Sequence, residues 1–349
     1  MGAFTQMITT SARRLIQLTV GAMAVMGAYA IHSQGAIGAN EHLKALQGYP
    51  GTWIWDWKDE HGQPMRGQST VTLHPSGAYL LDRTSDVHEG KLTPTELNIY
   101  FWRSEAKAVG SLGFTSSGNH GSSTVVIRKN RWTEQSAGFD EEGVLRTHVD
   151  QWEWINADKG TYQDTHVVRG GRGEPDGFKL AFERAGPGVA FPSRDNRPTL
   201  NEHLKPLARL IGEWGVQWTN ASGQVKEARS SVRPEAGGAV ILQDLQHVED
   251  GKVVFSELTV YFWQAESKSL GVAMLNSAGS SLAGDIFVRV DNWVSQLTGY
   301  NGNGEVQMCV VKQQWLNSDS AVCEKKHQFT GGQPEPDSPA FRFRRLPAP

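Results

Sequence analysis

Histidine is the side chain most readily recruited for acid–base work near neutral pH. Two of the 11 histidines, His166 and His327, fall at equivalent points of two similar stretches. In an extended strand alternate residues share a face. Tyr162, Asp164 and His166 then line up together, as do Cys323, Lys325 and His327. An inward histidine at these points can donate to a ligand, move a proton or ligate haem. The plainer reading is a histidine hydrogen-bonded to a neighbouring strand. Aromatic residues are the second signal. Ten of the 12 tryptophans form five pairs at one spacing: Trp53/Trp214, Trp57/Trp218, Trp102/Trp263, Trp132/Trp293 and Trp154/Trp315. Trp132, Trp293, Trp154 and Trp315, with Tyr162, are candidates to line an aromatic cavity; core filling is the alternative. Carboxylates are the third. Glu96, Tyr100 and Trp102 share one face of a strand, as do Glu257, Tyr261 and Trp263. Leu97, Ile99 and Phe101 take the other face and read as interior. Tyr100, Trp102, Tyr261 and Trp263 are therefore expected to point outward and dock two halves of the molecule together. The reversed orientation would make Glu96 and Glu257 interior acids with catalytic potential. Gly-x-Ser-x-Gly, His-Glu-x-x-His, Walker and Cys-x-x-Cys motifs are absent from the sequence, and no metal site is expected.

The spacing that pairs these residues is a duplication. Glu96-Leu97-x-x-Tyr100-Phe101-Trp102-x-x-Glu105-x-Lys107-x-x-Gly110 recurs, 161 residues on, as Glu257-Leu258-x-x-Tyr261-Phe262-Trp263-x-x-Glu266-x-Lys268-x-x-Gly271. The same offset carries Asn40–Lys44 onto Asn201–Lys205, and Gly51-x-Trp53 onto Gly212-x-Trp214. It also carries Glu174-Pro175-Asp176 onto Glu335-Pro336-Asp337, with no gap anywhere. Two domain-sized units follow, 40–188 and 201–349, joined by a Pro-punctuated linker at 189–200.

Each unit opens with a short helix carrying Leu43 and Leu46, or their equivalents, on one face. Turn-bounded alternation then predicts strands near 52–58, 67–73, 78–87, 95–102, 107–115, 122–128, 131–137, 144–155, 160–168 and 178–184. So many short antiparallel strands must close or stack to avoid bare edges. The expected fold is all-β, two tandem antiparallel barrels of eight to ten strands each. In a closed up-and-down barrel the first and last strands are neighbours. Arg184 is then expected over Trp53, and Arg345 over Trp214, as cation–π plugs in the two barrel floors.

The Gly-x-Trp start, the ordered glycine turns and the terminal Arg, all occurring twice, resemble the calycin superfamily of lipocalins, fatty-acid-binding proteins and nitrobindins. More closely, they resemble the lipocalin-like domains of unknown function that many bacteria export. The first unit departs from the pattern with Tyr49-Pro50 where the second has Leu210-Ile211. The resemblance implies a barrel and a bias towards small-molecule binding. No cofactor is expected, haem being the alternative that a lone inward histidine leaves open.

Arg13 and Arg14, the uncharged run 15–31 and Ala28-Tyr29-Ala30 read as a secretory signal peptide over 1–30, within a leader reaching 39. A secreted or periplasmic protein is expected, with no membrane attachment after cleavage; an uncleaved anchor is the second reading. A net charge of −3 gives no basic footprint for nucleic acid. The only cysteines, Cys309 and Cys323, are expected to be free. A hairpin with Leu316 opposite Ala321 would set them five residues apart on opposite faces. The leading functional expectation is an exported binder of a small hydrophobic or amphipathic molecule in one or both barrels. An isomerase, cyclase or hydratase using an interior His or Glu is the alternative, and an interaction module with filled barrels the third.

Overall fold

The computed structural model describes residues 41–58, 63–88, 91–177, 179–186, 199–220 and 222–347. The leader expected over 1–39, the Asn40 cap and nearly all of the linker lie outside them.

In the first unit a 310 helix, Glu41–Leu46, leads into β1 (Gly51–Lys58), β2 (Pro64–Leu73), β3 (Tyr79–His88), β4 (Lys91–Arg103), β5 (Ala108–Thr115) and β6 (His120–Arg128). β7 (Arg131–Phe139), β8 (Leu145–Asn156), β9 (Lys159–Arg169), the two-residue β10 (Arg172–Gly173) and β11 (Leu180–Arg184) complete it. The second unit repeats this with a 310 helix, Glu202–Leu210, then β12 (Gly212–Thr219), β13 (Val225–Glu235), β14 (Val240–Glu249), β15 (Lys252–Gln264) and β16 (Ser269–Asn276). It ends with β17 (Ser281–Val288), β18 (Asn292–Tyr300), β19 (Val306–Asn317), β20 (Ser320–Thr330), β21 (Gln333–Glu335) and β22 (Phe341–Arg345). Neighbouring strands pair antiparallel from β1 to β9, and β11 joins β9 back to β1. The second unit closes in the same way through β22. The molecule is two closed ten-stranded barrels.

The seam of each barrel explains the Gly-x-Trp signature. Trp53 pairs with Arg184, whose guanidinium carbon stands 4.2 Å above the indole. Arg345 stands 4.2 Å above Trp214. Arg184 also donates from Nη1 to Pro50 O (2.9 Å), from Nη2 to Gly48 O (2.7 Å) and from Nε to Asp158 (2.9 Å). It thereby ties the helix exit, the first strand and the β8–β9 turn together. Gly51 has φ 145°, and a Cβ there would run into the guanidinium. Glycine is the residue that lets the arginine lie down.

The barrels meet on a shared apolar core, and here the structure corrects the orientation expected for β4 and β15. Leu97, Ile99 and Phe101 pack with Leu258 and Val260, and Phe262 packs against them. Both partners present the same strand faces, as in an isologous interface. Tyr100 and Tyr261 turn into their own barrels instead, and they are buried there. Trp102 and Trp263 are not part of that apolar core either. Each stacks on a surface histidine of its own opening helix: His42–Trp102 at 3.8 Å and His203–Trp263 at 3.9 Å between ring centroids. The alternation was in register, but its apolar face is the outer one, because a second barrel covers it. Arg83 to Glu235 (2.9 Å) and the Tyr79 hydroxyl to Ser256 O (3.2 Å) add polar links across the interface.

The cysteine register also needs correcting. The β19–β20 hairpin bulges at Leu316, so Trp315 pairs with Ala321 and Cys323 with Gln313. Cys309 is then four residues from that pair, on the same face. Both thiols remain free, separated by roughly 13 Å of strand.

Candidate functional site

Barrel one is hollow. Its interior holds a cavity of about 400 Å³, with Trp53, Trp55, Trp152 and Phe182 among its apolar lining. That size lies within the usual small-molecule range of about 300–1,000 Å³. The polar lining is acidic: Asp82, Glu96, Glu134, Asp150 and Asp164 face the space, with His148 and Arg146.

Three small networks hold these acids. The Tyr49 hydroxyl donates to Asp82 Oδ2 (2.6 Å), and Ser69 donates to Oδ1. Tyr49 is thus the cavity residue that replaces the leucine of the second unit. Burial raises the Asp82 carboxyl above its ordinary range. Ser111 and Ser123 bond to each other (2.7 Å), and Ser123 donates to Glu134 Oε2 (3.2 Å). Burial, reinforced by the charge of Asp150, pushes Glu134 up to about 8. Asp150 accepts from Ser136 (2.8 Å) and from the Tyr162 hydroxyl (2.7 Å), while His148 Nε2 lies 3.3 Å from its Oδ2. Burial alone would raise Asp150; the imidazole and hydroxyls outweigh it and hold the carboxyl below its ordinary value. Asp164 touches the same Tyr162 hydroxyl and lies 3.6 Å from Arg146. Glu96 is driven up to about 7 by burial and then by the charge of Asp82. Four buried polar atoms of the lining have no hydrogen-bond partner: His120 Nδ1, Glu134 Oε1, His148 Nδ1 and Trp152 Nε1. Buried polar groups are normally satisfied, so these are places for a ligand or water to bond.

Barrel two is filled at the matching positions. Ser111, Gly113, Gly121 and Ser136 line the cavity of barrel one. Their equivalents are Val272, Met274, Leu282 and Leu297, all buried in a continuous core. What remains beside Trp214 and Trp315 is a void of about 10 Å³, too small for a ligand. His148 becomes Cys309, Asp150 becomes Val311 and Tyr162 becomes Cys323. Asp164 becomes Lys325, whose buried Nζ lies 3.4 Å from Glu257, the equivalent of Glu96.

Of the residues singled out in the sequence, Tyr162 lines the cavity. Trp132 and Trp154 do not; they pack behind it against Tyr49, with centroids 4.9 and 6.1 Å away. Trp293 and Trp315 are core residues of barrel two. His166 and His327 are exposed and outside both interiors, which corrects the histidine reading. Each has a left-handed backbone, φ 53° and 51°, at a bulge between the eighth and ninth strands of its barrel. The bulge breaks the alternation that would have aligned His166 with Tyr162 and Asp164. Its freed N–H bonds to Asp176 Oδ1 (2.9 Å), and that of His327 to Asp337 Oδ1 (3.1 Å). This accounts for the repeated Glu-Pro-Asp. Among the described residues, no cluster of three or more His, Cys, Asp or Glu side chains is arranged to hold a metal ion. Glu96, Glu134, His148 and Asp150 sit on β4, β7 and β8; of these only Glu96 carried a signal in the sequence, as the reversed reading of its strand.

No protein-family model matches the chain, and no curated protein matches it. Several solved structures do. A DUF3598-family protein of unknown function from Nostoc punctiforme is 11% identical over 88% of this chain and 100% of its own, with a TM-score of 0.23. Rv2717c from M. tuberculosis is 17% identical over 42% of this chain and 99% of its own, with a TM-score of 0.31. A transferrin-binding protein B from Haemophilus parasuis is 6% identical over 84% of this chain and 74% of its own, with a TM-score of 0.19. Superpositions this loose leave function to be argued from the site.

Proposed function

We propose that barrel one is a binding vessel for one small amphipathic molecule, and that barrel two is its filled, structural counterpart. The observation that carries this is the contrast at matched positions: small residues leave about 400 Å³ in one barrel, where larger apolar ones fill the other. The cavity combines an aromatic end with hydrogen-bonding walls, the usual division of labour in a small-molecule site. The four unpartnered polar atoms are the groups a ligand would satisfy. In this reading the protein is exported, on the strength of Arg13, Arg14 and the apolar run behind them, and its barrels are of the lipocalin-like kind.

Native mass spectrometry of the protein purified from its own host tests the proposal. The expected result is a small-molecule adduct that disappears in a double variant, Gly113→Met with Ser136→Leu, which gives barrel one the filling residues of barrel two. An adduct that survives those substitutions, or none at all, would count against it. A second reading, acid–base catalysis, is favoured by Glu96 and Glu134, which hold protons near neutral pH inside the same cavity. Chemical conversion of the captured molecule, abolished by Glu134→Gln, would support that reading.

A further inference from the structure

Barrel two carries a clue to what barrel one holds. In both barrels a glutamate enters the interior from the fourth strand: Glu96 in one, Glu257 in the other. In barrel two that carboxylate has a cation supplied by the chain. Lys325 reaches across from β20 and sets its Nζ 3.4 Å from Glu257, both side chains being buried. Burial opposes the ammonium charge, but the carboxylate outweighs it and keeps the lysine charged. In barrel one the equivalent of Lys325 is Asp164, whose shorter side chain withdraws both the stem and the ammonium. The space the lysine would cross is open cavity, and a second carboxylate stands where its stem would begin.

We propose that the ligand of barrel one is an organic cation whose ammonium sits between Glu96 and Asp164, where barrel two places Lys325 Nζ. The inference rests on the binding proposal and narrows it. The rest of the lining agrees. Asp82, Glu134 and Asp150 add acidic groups, while Arg146 and His148 are engaged with Asp164 and Asp150. Glu134 is 6% exposed, and its Oε1 has no hydrogen-bond partner, so it offers a further acceptor to an N–H of the ligand. Trp55 and Trp152 supply indole surfaces, which attract cations through the ring quadrupole as well as apolar bodies through contact. Glu96 and Glu134 have no cation of the chain beside them and hold protons near neutral pH; an ammonium brought in by the ligand favours their ionised form, because pairing offsets the cost of burying the charge.

The experiment compares three probes of one shape on the full chain by titration calorimetry: 3-phenylpropylammonium, 3-phenylpropanol and 3-phenylpropanoate. The ammonium is expected to bind roughly tenfold more tightly than the alcohol, and the carboxylate more weakly than both. Glu96→Gln should bring the ammonium down to the affinity of the alcohol. Asp164→Lys, which installs the cation of barrel two, should abolish ammonium binding. Should that variant melt early, Asp164→Asn is read in its place, with a smaller loss expected. Equal affinities for ammonium and alcohol, or a preference for the carboxylate, would overturn the cation inference while leaving the binding vessel standing. Failure of all three probes to bind would overturn the inference, and the host-purified adduct would then decide the fate of the vessel.

Discussion

Trp53 and Arg184 are cross-strand partners at the seam of barrel one, with the guanidinium 4.2 Å above the indole and three further hydrogen bonds from its fork. Arg184→Ala removes the stack and unties the Gly48–Pro50 exit from the β8–β9 turn. It is expected to lower stability by about 2–3 kcal/mol, read as a lower urea midpoint. Arg184→Lys should recover little, because an ammonium cannot span Gly48, Pro50 and Asp158 at once. A midpoint unchanged in the alanine variant would show that the arginine is decorative.

The buried pair in barrel two calls for a different pattern. Lys325→Met strands Glu257 in an apolar core and is expected to cost about 3–5 kcal/mol. Adding Glu257→Leu should restore most of that loss, since two apolar groups replace two ions. If the double variant is no more stable than the single one in thermal melts, the two residues are not acting as a pair.

Protonation gives a stability signature with a definite sign. Glu134 titrates near 8 in the folded protein and near its ordinary value, about 4.3, in the unfolded chain. Between those limits the folded state holds a proton that the unfolded state has lost. Stability therefore falls as pH rises from about 4.3 through 8, by no more than about 1.4 kcal/mol per pH unit for this group, and levels off above. Glu96, at about 7, contributes in the same direction up to that pH. Glu134→Gln should flatten the melting-temperature profile between pH 7 and 8 and leave a slope below. Superposable profiles for the two proteins would contradict the assignment.

The thiols of barrel two are predicted to be free but concealed. Burial raises Cys309, and pushes Cys323 up to about 12, so little thiolate is present at pH 8. Titration with a thiol reagent should count two per chain after unfolding without reductant, and close to none in the first minutes on the native protein. A count of zero after unfolding would mean that the thiols are oxidised.

The architecture was legible because duplication prints it twice. Strands such as β4 and β15, or β8 and β19, have bounds that differ by the 161-residue offset throughout. The Trp–Arg seam was legible for the same reason. Two things were not. The facing of β4 was hidden because an alternation says which residues share a side, but not which side a second barrel will cover. Tyr100 was therefore sent outward and Leu97 inward, the reverse of their positions. The bulge at His166 was hidden because one residue in a left-handed conformation leaves no mark in a pattern of period two. The decisive acids Glu134 and Asp150 belong to no motif on their strands, and only closure of the barrel gathers them with Asp82 and Glu96.

The shared wall has a consequence for how a molecule can enter. On β4, Glu96, Asn98 and Tyr100 line the cavity while Leu97, Ile99 and Phe101 are locked into the inter-barrel core. That stretch of the vessel cannot breathe without parting the two barrels. Opening motions must fall on the far side, along β7, β8 and β9, whose outer faces the inter-barrel core does not cover and whose ladder is already interrupted by the bulge between β8 and β9. Amide exchange should therefore be slowest along Leu97–Phe101 and fastest on the strands that carry Glu134, Asp150 and Asp164, so that the acidic wall is also the compliant one.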